Sequence, residues 1–313
     1  MNISNFCELI NAKILNYGAT SSVYDFSIDL NHIKPASVFF ARNIEQIDYA
    51  IKLGAYVIVS KENTNINDKE VFYLQVDDLE EAIFRFFRFL IQEKSCKFLF
   101  CSSVELKFAQ AFGFKILQGD IFLDFYALKN SKENILFCLD DENYILKLSP
   151  NYLSLQKNSY EILGKKSLFY TSLLCKNLYF KDLKFAFFYA DIFASYIRFI
   201  EDHQFRFSFN DKKLELFDAY FLDNKNQICA FGTSSRVILL VEDEKHFSFI
   251  ADKIHNLKEF KIALKNSLFC DFSYANLEDL KKNMNFKYCL INENKEEFLN
   301  VFLPKDKDYS LFD

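Results

Sequence analysis

The sequence predicts an α/β protein, made of an N-terminal α/β domain, a mixed α+β middle region and a small C-terminal α/β domain. Three observations lead there. Short β-branched or aromatic runs of strand length alternate with segments of near-helical apolar spacing, the pattern of strands joined by crossover helices. Apolar residues make up 50% and charged residues 26% of the 313, the balance of a globular chain that can bury a core. Only 6 glycines and 3 prolines occur, which excludes linker-rich and collagen-like chains and leaves little for a glycine-rich loop.

The elements follow in order. Val38-Phe39-Phe40-Ala41 reads as a strand. Ile44, Ile47, Ile51 and Leu53 recur at near-helical spacing, and Gly54 stands where a helix C-cap falls. Strands are expected at 56–59 and 71–76. Asp77-Asp78 then offers an N-cap, with acids at the positive helix end, to a helix over 79–92. In the middle, 98–101 reads as a strand, 105–112 as a helix and 135–139 as a strand. The short apolar pieces of 143–169 predict antiparallel β. A helix is expected over 183–201, lined by Phe187, Ala190, Ile192, Ala194, Ile197 and Phe199. Residues 205–209 and 214–222 alternate about Asn210-Asp211, which predicts a hairpin. The last eighty residues return to α/β, with strands at 237–241 and 288–291 and helices at 245–257, 277–284 and 296–302. Pro304 and the charged stretch 305–308 mark their end. The expected domains are 1–93, 94–230 and 231–313.

Composition excludes several functions. A net charge of −5 and no dense Lys/Arg cluster argue against nucleic acid. No apolar stretch reaches the roughly 18 residues that would span a bilayer, and 1–9 lacks a secretory pattern, so a cytoplasmic protein is expected. The 39 Phe and 17 Tyr, beside many Lys, Asn and Ile, fit core filling in an AT-rich bacterial genome. Eight cysteines are scattered without a C-x-x-C pair, mostly inside apolar runs, where a free thiol behaves as a small hydrophobe. Of four histidines, His203 follows Glu201-Asp202 at a helix end. His246 and His255 lie nine apart on one expected helix and point to opposite sides, so they cannot share a metal. Asp140-Asp141-Glu142 reads as an acidic turn after a strand. Neither G-x-S-x-G nor H-E-x-x-H occurs. No catalytic residue, cofactor site or metal site is assigned.

From Asp29 the chain carries Asp29-Leu30-Asn31-His32-Ile33-Lys34-Pro35-Ala36, then Ser37-Val38-Phe39-Phe40-Ala41. Ala50-Ile51-Lys52-Leu53-Gly54-Ala55 runs into the strand at 56–59, and Val76-Asp77-Asp78-Leu79-Glu80-Glu81-Ala82-Ile83 opens a helix. These three pieces, in this order and spacing, resemble the N-terminal domain of the Mur ligases, the ATP-dependent enzymes that add amino acids to the peptidoglycan precursor. The resemblance is to the branch that adds the D-alanyl-D-alanine dipeptide. Its signature is D-S-R-x-V-x-P-G before an apolar strand, then A-I-x-x-G-A, then V-x-D-x-x-x-A-L. It implies a ligand-binding position at Asp29, Leu30 and Asn31. There the family's Ser and Arg lie at the uridine-nucleotide site, and Leu30 and Asn31 replace them.

A second departure concerns ATP. The family places a T-G-S-x-G-K-T loop after the next strand, with glycines that let backbone N–H groups approach phosphates. This chain has Cys101-Ser102-Ser103-Val104-Glu105-Leu106-Lys107-Phe108, without glycine and with an acid inside the stretch. Phe231-Gly232-Thr233-Ser234-Ser235-Arg236 has one glycine and no lysine, and reads as a polar turn. Asp271-Phe272-Ser273-Tyr274-Ala275-Asn276 is a chance likeness to the family's D-D-S-Y-N-A-N-P. The expectation is a Mur-ligase-like protein without a recognisable ATPase site and without a cofactor. It would bind a cell-wall precursor or a peptidoglycan-synthesis protein and catalyse nothing. The alternative is a divergent ligase or transferase acting on a UDP-linked precursor.

Overall fold

The computed structural model describes residues 1–64, 68–282 and 285–304. Its internal packing divides the chain into two compact units, Met1–Ser102 with Phe114–Leu155, and Ser103–Gly113 with Gln156–Asp313.

The first unit opens with α1 (Ile3–Ile10), β1 (Lys13–Asn16), β2 (Phe26–Ser27), β3 (Ser37–Ala41), α2 (Glu45–Lys52), β4 (Ala55–Ser60), β5 (Phe72–Gln75) and α3 (Leu79–Glu93). The strands expected at 38–41, 56–59 and 71–76 are parallel neighbours in one sheet of order β1-β5-β4-β3-β2, with β1 antiparallel at one edge. Side chains alternate between two cores. Val38, Phe40, Val57, Val59 and Leu74 pack with α1 and α3, while Phe39, Ala41, Ile58 and Tyr73 pack with α2. A sheet covered on both faces explains why β3 and β4 read as unbroken apolar runs. Asp78 caps α3 by accepting from the Glu81 N–H at 3.1 Å, and Gly54 adopts φ +99° after α2, both as the sequence predicts.

Ala36 stands where the signature has glycine, and its φ is +64°. A left-handed conformation costs an L-residue on the order of 1 kcal/mol, whereas glycine adopts it freely. Ala36→Gly should therefore stabilise the chain by about 0.5 kcal/mol, after the glycine's larger unfolded-state entropy is subtracted. Urea denaturation checks this, and a lower midpoint would contradict it.

The chain continues through β6 (Lys97–Phe100), α4 (Ser103–Ala111), β7 (Lys115–Ile116), α5 (Ile121–Lys129), β8 (Leu136–Leu139), α6 (Glu142–Leu148) and β9 (Leu153–Ser154). The four strands form a parallel sheet of order β7-β8-β6-β9. The antiparallel β expected from 143 onward is corrected at its start: α6 occupies Glu142–Leu148 and β9 is parallel to β6. Buried Tyr144, Ile145 and Leu148 follow a helical period, and Asp141 caps the helix through the Tyr144 N–H at 3.0 Å.

The second unit holds an antiparallel sheet of β10 (Tyr160–Leu163), β11 (Thr171–Cys175) and β12 (Leu178–Leu183), then α7 (Ala190–Asp202). The helix expected over 183–201 thus starts later, because Leu183 ends β12 and a 3-10 turn occupies Phe187–Tyr189. The hairpin expected across 205–222 is also corrected. Residues 205–209 join no sheet, and Asn210 caps a 3-10 turn at Asp211–Lys213. The aromatic side chains there pack on other rings instead: Phe207 and Phe209 lie 6.0 and 4.7 Å from Phe112, and Phe209 lies 5.0 Å from Phe193.

The last sheet contains β13 (Asp218–Leu222), β14 (Ile228–Cys229), β15 (Arg236–Val241), β16 (Phe260–Lys265), β17 (Phe272–Tyr274) and β18 (Tyr288–Asn292), in the order β14-β13-β15-β18-β16-β17. Three helices join it: α8 (Glu244–Ile254), α9 (Leu277–Leu280) and α10 (Lys295–Phe302). Residues 283–284 of the expected 277–284 helix, and the charged stretch 305–308, lie outside the described residues. β15, β18, β16 and β17 are parallel. Ile238, Leu240, Cys289 and Ile291 pack on one face with α9 and α10, while α8 packs on the other against β15 and β18.

Candidate functional site

Asp29, Leu30 and Asn31 lie together on a 3-10 turn at Leu30–His32. The Asp29 carboxylate caps that turn, accepting from the Asn31 N–H at 2.9 Å, and it pairs with His32 at 3.2 Å. Leu30 is half-buried and packs against the core of Phe39, Ile58 and Tyr73, while Asn31 is exposed. Each of the three has a role in forming the turn.

Only Cys101 and Ser102 separate β6 from α4. Cys101 is fully buried, and its N–H extends the sheet by donating to the Leu139 carbonyl at 2.9 Å. The glycine-bearing segment at 231–236 is a turn before β15. Gly232 there has φ +79°, and the Arg236 guanidinium is held by the Asn226 side chain at 2.9 Å and by the Asp223 carbonyl.

A concentration of charged side chains at a cavity lies within the second unit. β15 leads into α8 on one face of the sheet, and its parallel neighbour β18 leads into α10 on the other. Where adjacent parallel strands depart to opposite faces, a crevice opens beyond their carboxyl ends. Here that crevice is a cleft of about 690 Å³. Lys107, His246 and Lys295 line it together with Glu215, Asp218, Glu242 and Asp243.

The local sequence accounts for each position. Asp243 follows the apolar run of β15 and caps α8, accepting from the His246 N–H at 2.6 Å and from the Ser103 hydroxyl at 3.3 Å. Asn294 caps α10 through the Glu296 and Glu297 N–H groups at 2.9 and 3.2 Å. Two helix N-termini, each carrying a partial positive charge, therefore border the cleft. The Lys295 N–H donates to Glu242 at 2.8 Å, and its ammonium pairs with Asp218 at 3.0 Å, which holds that ammonium charged. The Lys107 ammonium donates to the Glu215 carbonyl at 2.7 Å. The lysine that fails to make a phosphate loop is thus part of a different site.

His246 is 1% exposed. Its Nε2 lies 2.7 Å from the hydroxyl of buried Tyr189, while Nδ1 has no hydrogen-bond partner among the described residues. Burial, then the nearby Lys107 ammonium, push its pKa down to about 4, so the ring is neutral at pH 7. His255, on the same helix, is exposed and turns to the Asp252 carbonyl at 2.8 Å, so the two histidines diverge as the spacing predicts. His203 ends α7. Among the described residues, no group of three or more His, Cys, Asp or Glu side chains could hold a metal ion. Cations and carboxylates interleave around two helix N-termini, which suits a ligand carrying both signs of charge, such as a zwitterionic amino acid or peptide. Asp218, Glu242 and Lys295 escaped sequence reasoning. Asp243 carried a readable signal, as an acid just past the carboxyl end of a parallel strand.

Parallel sheets with crossover helices, and a switch-point cleft in the last of them, define a multi-sheet α/β protein. No family model and no curated relative matches the chain. Among solved structures, it is similar to the MurF ligase of Thermotoga maritima in complex with ADP. The identity is 11% and the TM-score 0.50, over 90% of this chain and 97% of that one. A MurF of Acinetobacter baumannii matches at 9% identity and a TM-score of 0.48, over 93% and 89%. The fold is that of the Mur ligases.

Proposed function

We propose that this chain is a Mur-ligase-like protein without an ATPase site, serving in the cytoplasm as a non-catalytic binding or partner protein in peptidoglycan-precursor synthesis. The observation that carries this is the junction between β6 and α4: two residues, no glycine, and a buried Cys101 already hydrogen-bonded into the sheet. A phosphate cradle needs several free backbone N–H groups and close approach of the chain. The T. maritima structure with ADP is of an enzyme named as a ligase, and this chain shares its fold. The cleft of Lys107, His246 and Lys295 is the place for the peptide portion of a precursor, whose carboxylates and ammonium match its alternating charges. Leu30 then serves packing of the N-terminal domain, in the place of a polar uridine contact, while Asp29 caps the turn through the N–H of exposed Asn31. Among the described residues, no helix is long and apolar enough to cross a membrane.

The test is incubation of the chain with a UDP-N-acetylmuramoyl peptide, Mg²⁺ and ATP. Binding of the peptide precursor without release of phosphate is expected. Turnover of ATP coupled to peptide addition would favour the alternative, a divergent ligase or transferase.

A further inference from the structure

A second cavity, of about 220 Å³, sits at the opposite end of the last sheet, where β16 and β18 begin. Strands of five or six residues put it roughly 15–20 Å from the charged cleft. Part of its wall is aromatic and apolar: Phe187, Phe260 and Leu168 are buried, and Tyr288 is half-buried. The rings are set edge-on and tilted to one another, Phe187 to Phe260 at 6.3 Å and Phe260 to Tyr288 at 4.8 Å, the geometries that aromatic groups prefer. Two lysines stand at this cavity. Lys166 lies 5.5 Å from the Phe187 ring centre, and neither Lys166 nor Lys258 forms an ion pair among the described residues. The one carboxylate in the lining, Glu259, is already paired with Lys287 at 2.9 Å. In a chain of net charge −5, a partly aromatic pocket lined by two lysines outside any ion pair among the described residues favours one chemistry.

We infer that this cavity is a binding site for a small aromatic carboxylate. The ring would lie among Phe187, Phe260 and Tyr288, and the carboxylate would reach Lys166 and Lys258. Its volume of about 220 Å³ is of the size of one or two fused rings with a short acidic arm. The site is separate from the cleft assigned above and does not depend on that assignment.

The chain contains no tryptophan, so an indole probe can be followed by its own fluorescence. Indole-3-propionate is titrated into the full chain and compared with its neutral analogue 3-indolepropanol. Saturable binding of the acid is expected, with a dissociation constant on the order of 100 µM, as a ligand of that size allows. The alcohol should bind about tenfold more weakly. Replacing both exposed lysines, Lys166→Gln with Lys258→Gln, should weaken the acid about tenfold, remove the preference over the alcohol and leave the denaturation midpoint unchanged. Equal affinity for acid and alcohol, indifference to the double substitution, or no saturation at millimolar probe would each overturn the assignment.

Discussion

Lowering the pH from 6.5 to 4 should cost this chain about 3 kcal/mol of stability through His246 alone. The ring is buried against Tyr189, and its pKa falls from 6.5 to about 4 on folding. Between these values the unfolded chain binds the proton and the folded chain does not. Stability therefore falls with pH by about 1.4 kcal/mol per unit across that window, is complete above pH 6.5, and loses nothing further from this group below about 4. Carboxylates titrate in the same range, so the clean comparison is with His246→Gln, which cannot titrate. Denaturation free energies measured from pH 7 to pH 4 should converge or cross as the unmodified chain loses its advantage. Parallel curves for the two proteins would show that His246 is not buried neutral.

Phe112→Ala should destabilise the second unit by about 3–5 kcal/mol, the range for emptying a phenylalanine site in a packed core. Phe112 is 3% exposed and stacks on Tyr196 at 5.0 Å and Phe193 at 5.6 Å, with Phe209 at 4.7 Å across it. The Asn210 N–H donates to the Ala111 carbonyl beside it at 2.9 Å. Loss of the ring opens a cavity and frees the extended segment 205–209 together. Urea denaturation followed by circular dichroism measures the effect, and a cost below about 1 kcal/mol would mean that the ring cluster does not hold this segment.

Phe112 also shows where sequence reading fails. Phe205, Phe207 and Phe209 alternate like a strand, yet they join no sheet: Phe205 and Phe209 pack on rings of α7, Phe209 also on Phe112 beside α4, and Phe207 on Phe112 and on the ring of Phe180 in β12. Period 2 records which side chains turn inward, and an extended segment lying on a helix has it as well. The helix α6 was hidden for a related reason: at seven residues it shows barely two turns of its period. Strands β3, β4, β15 and β18 were legible because both faces of each sheet are covered, so every side chain had to be apolar. The motif from Asp29 to Ala36 was legible in sequence, and the structure gives the physical sense of its last position through the positive φ of Ala36. The cleft was the least legible feature. Lys107, Asp218, His246 and Lys295 are spread over 189 positions and meet only through the order of strands in the sheet and the packing of α4 beside it. Strand order is set by crossover connections, and no local pattern encodes it.

Whether the chain has given up ATP is decided most directly by calorimetric titration of Mg-ATP into the unmodified protein. With two residues between β6 and α4, no glycine among them, and Lys107 bonded to the Glu215 carbonyl, no saturable heat is expected up to millimolar nucleotide. A saturable, Mg-dependent signal at micromolar concentration would contradict the account.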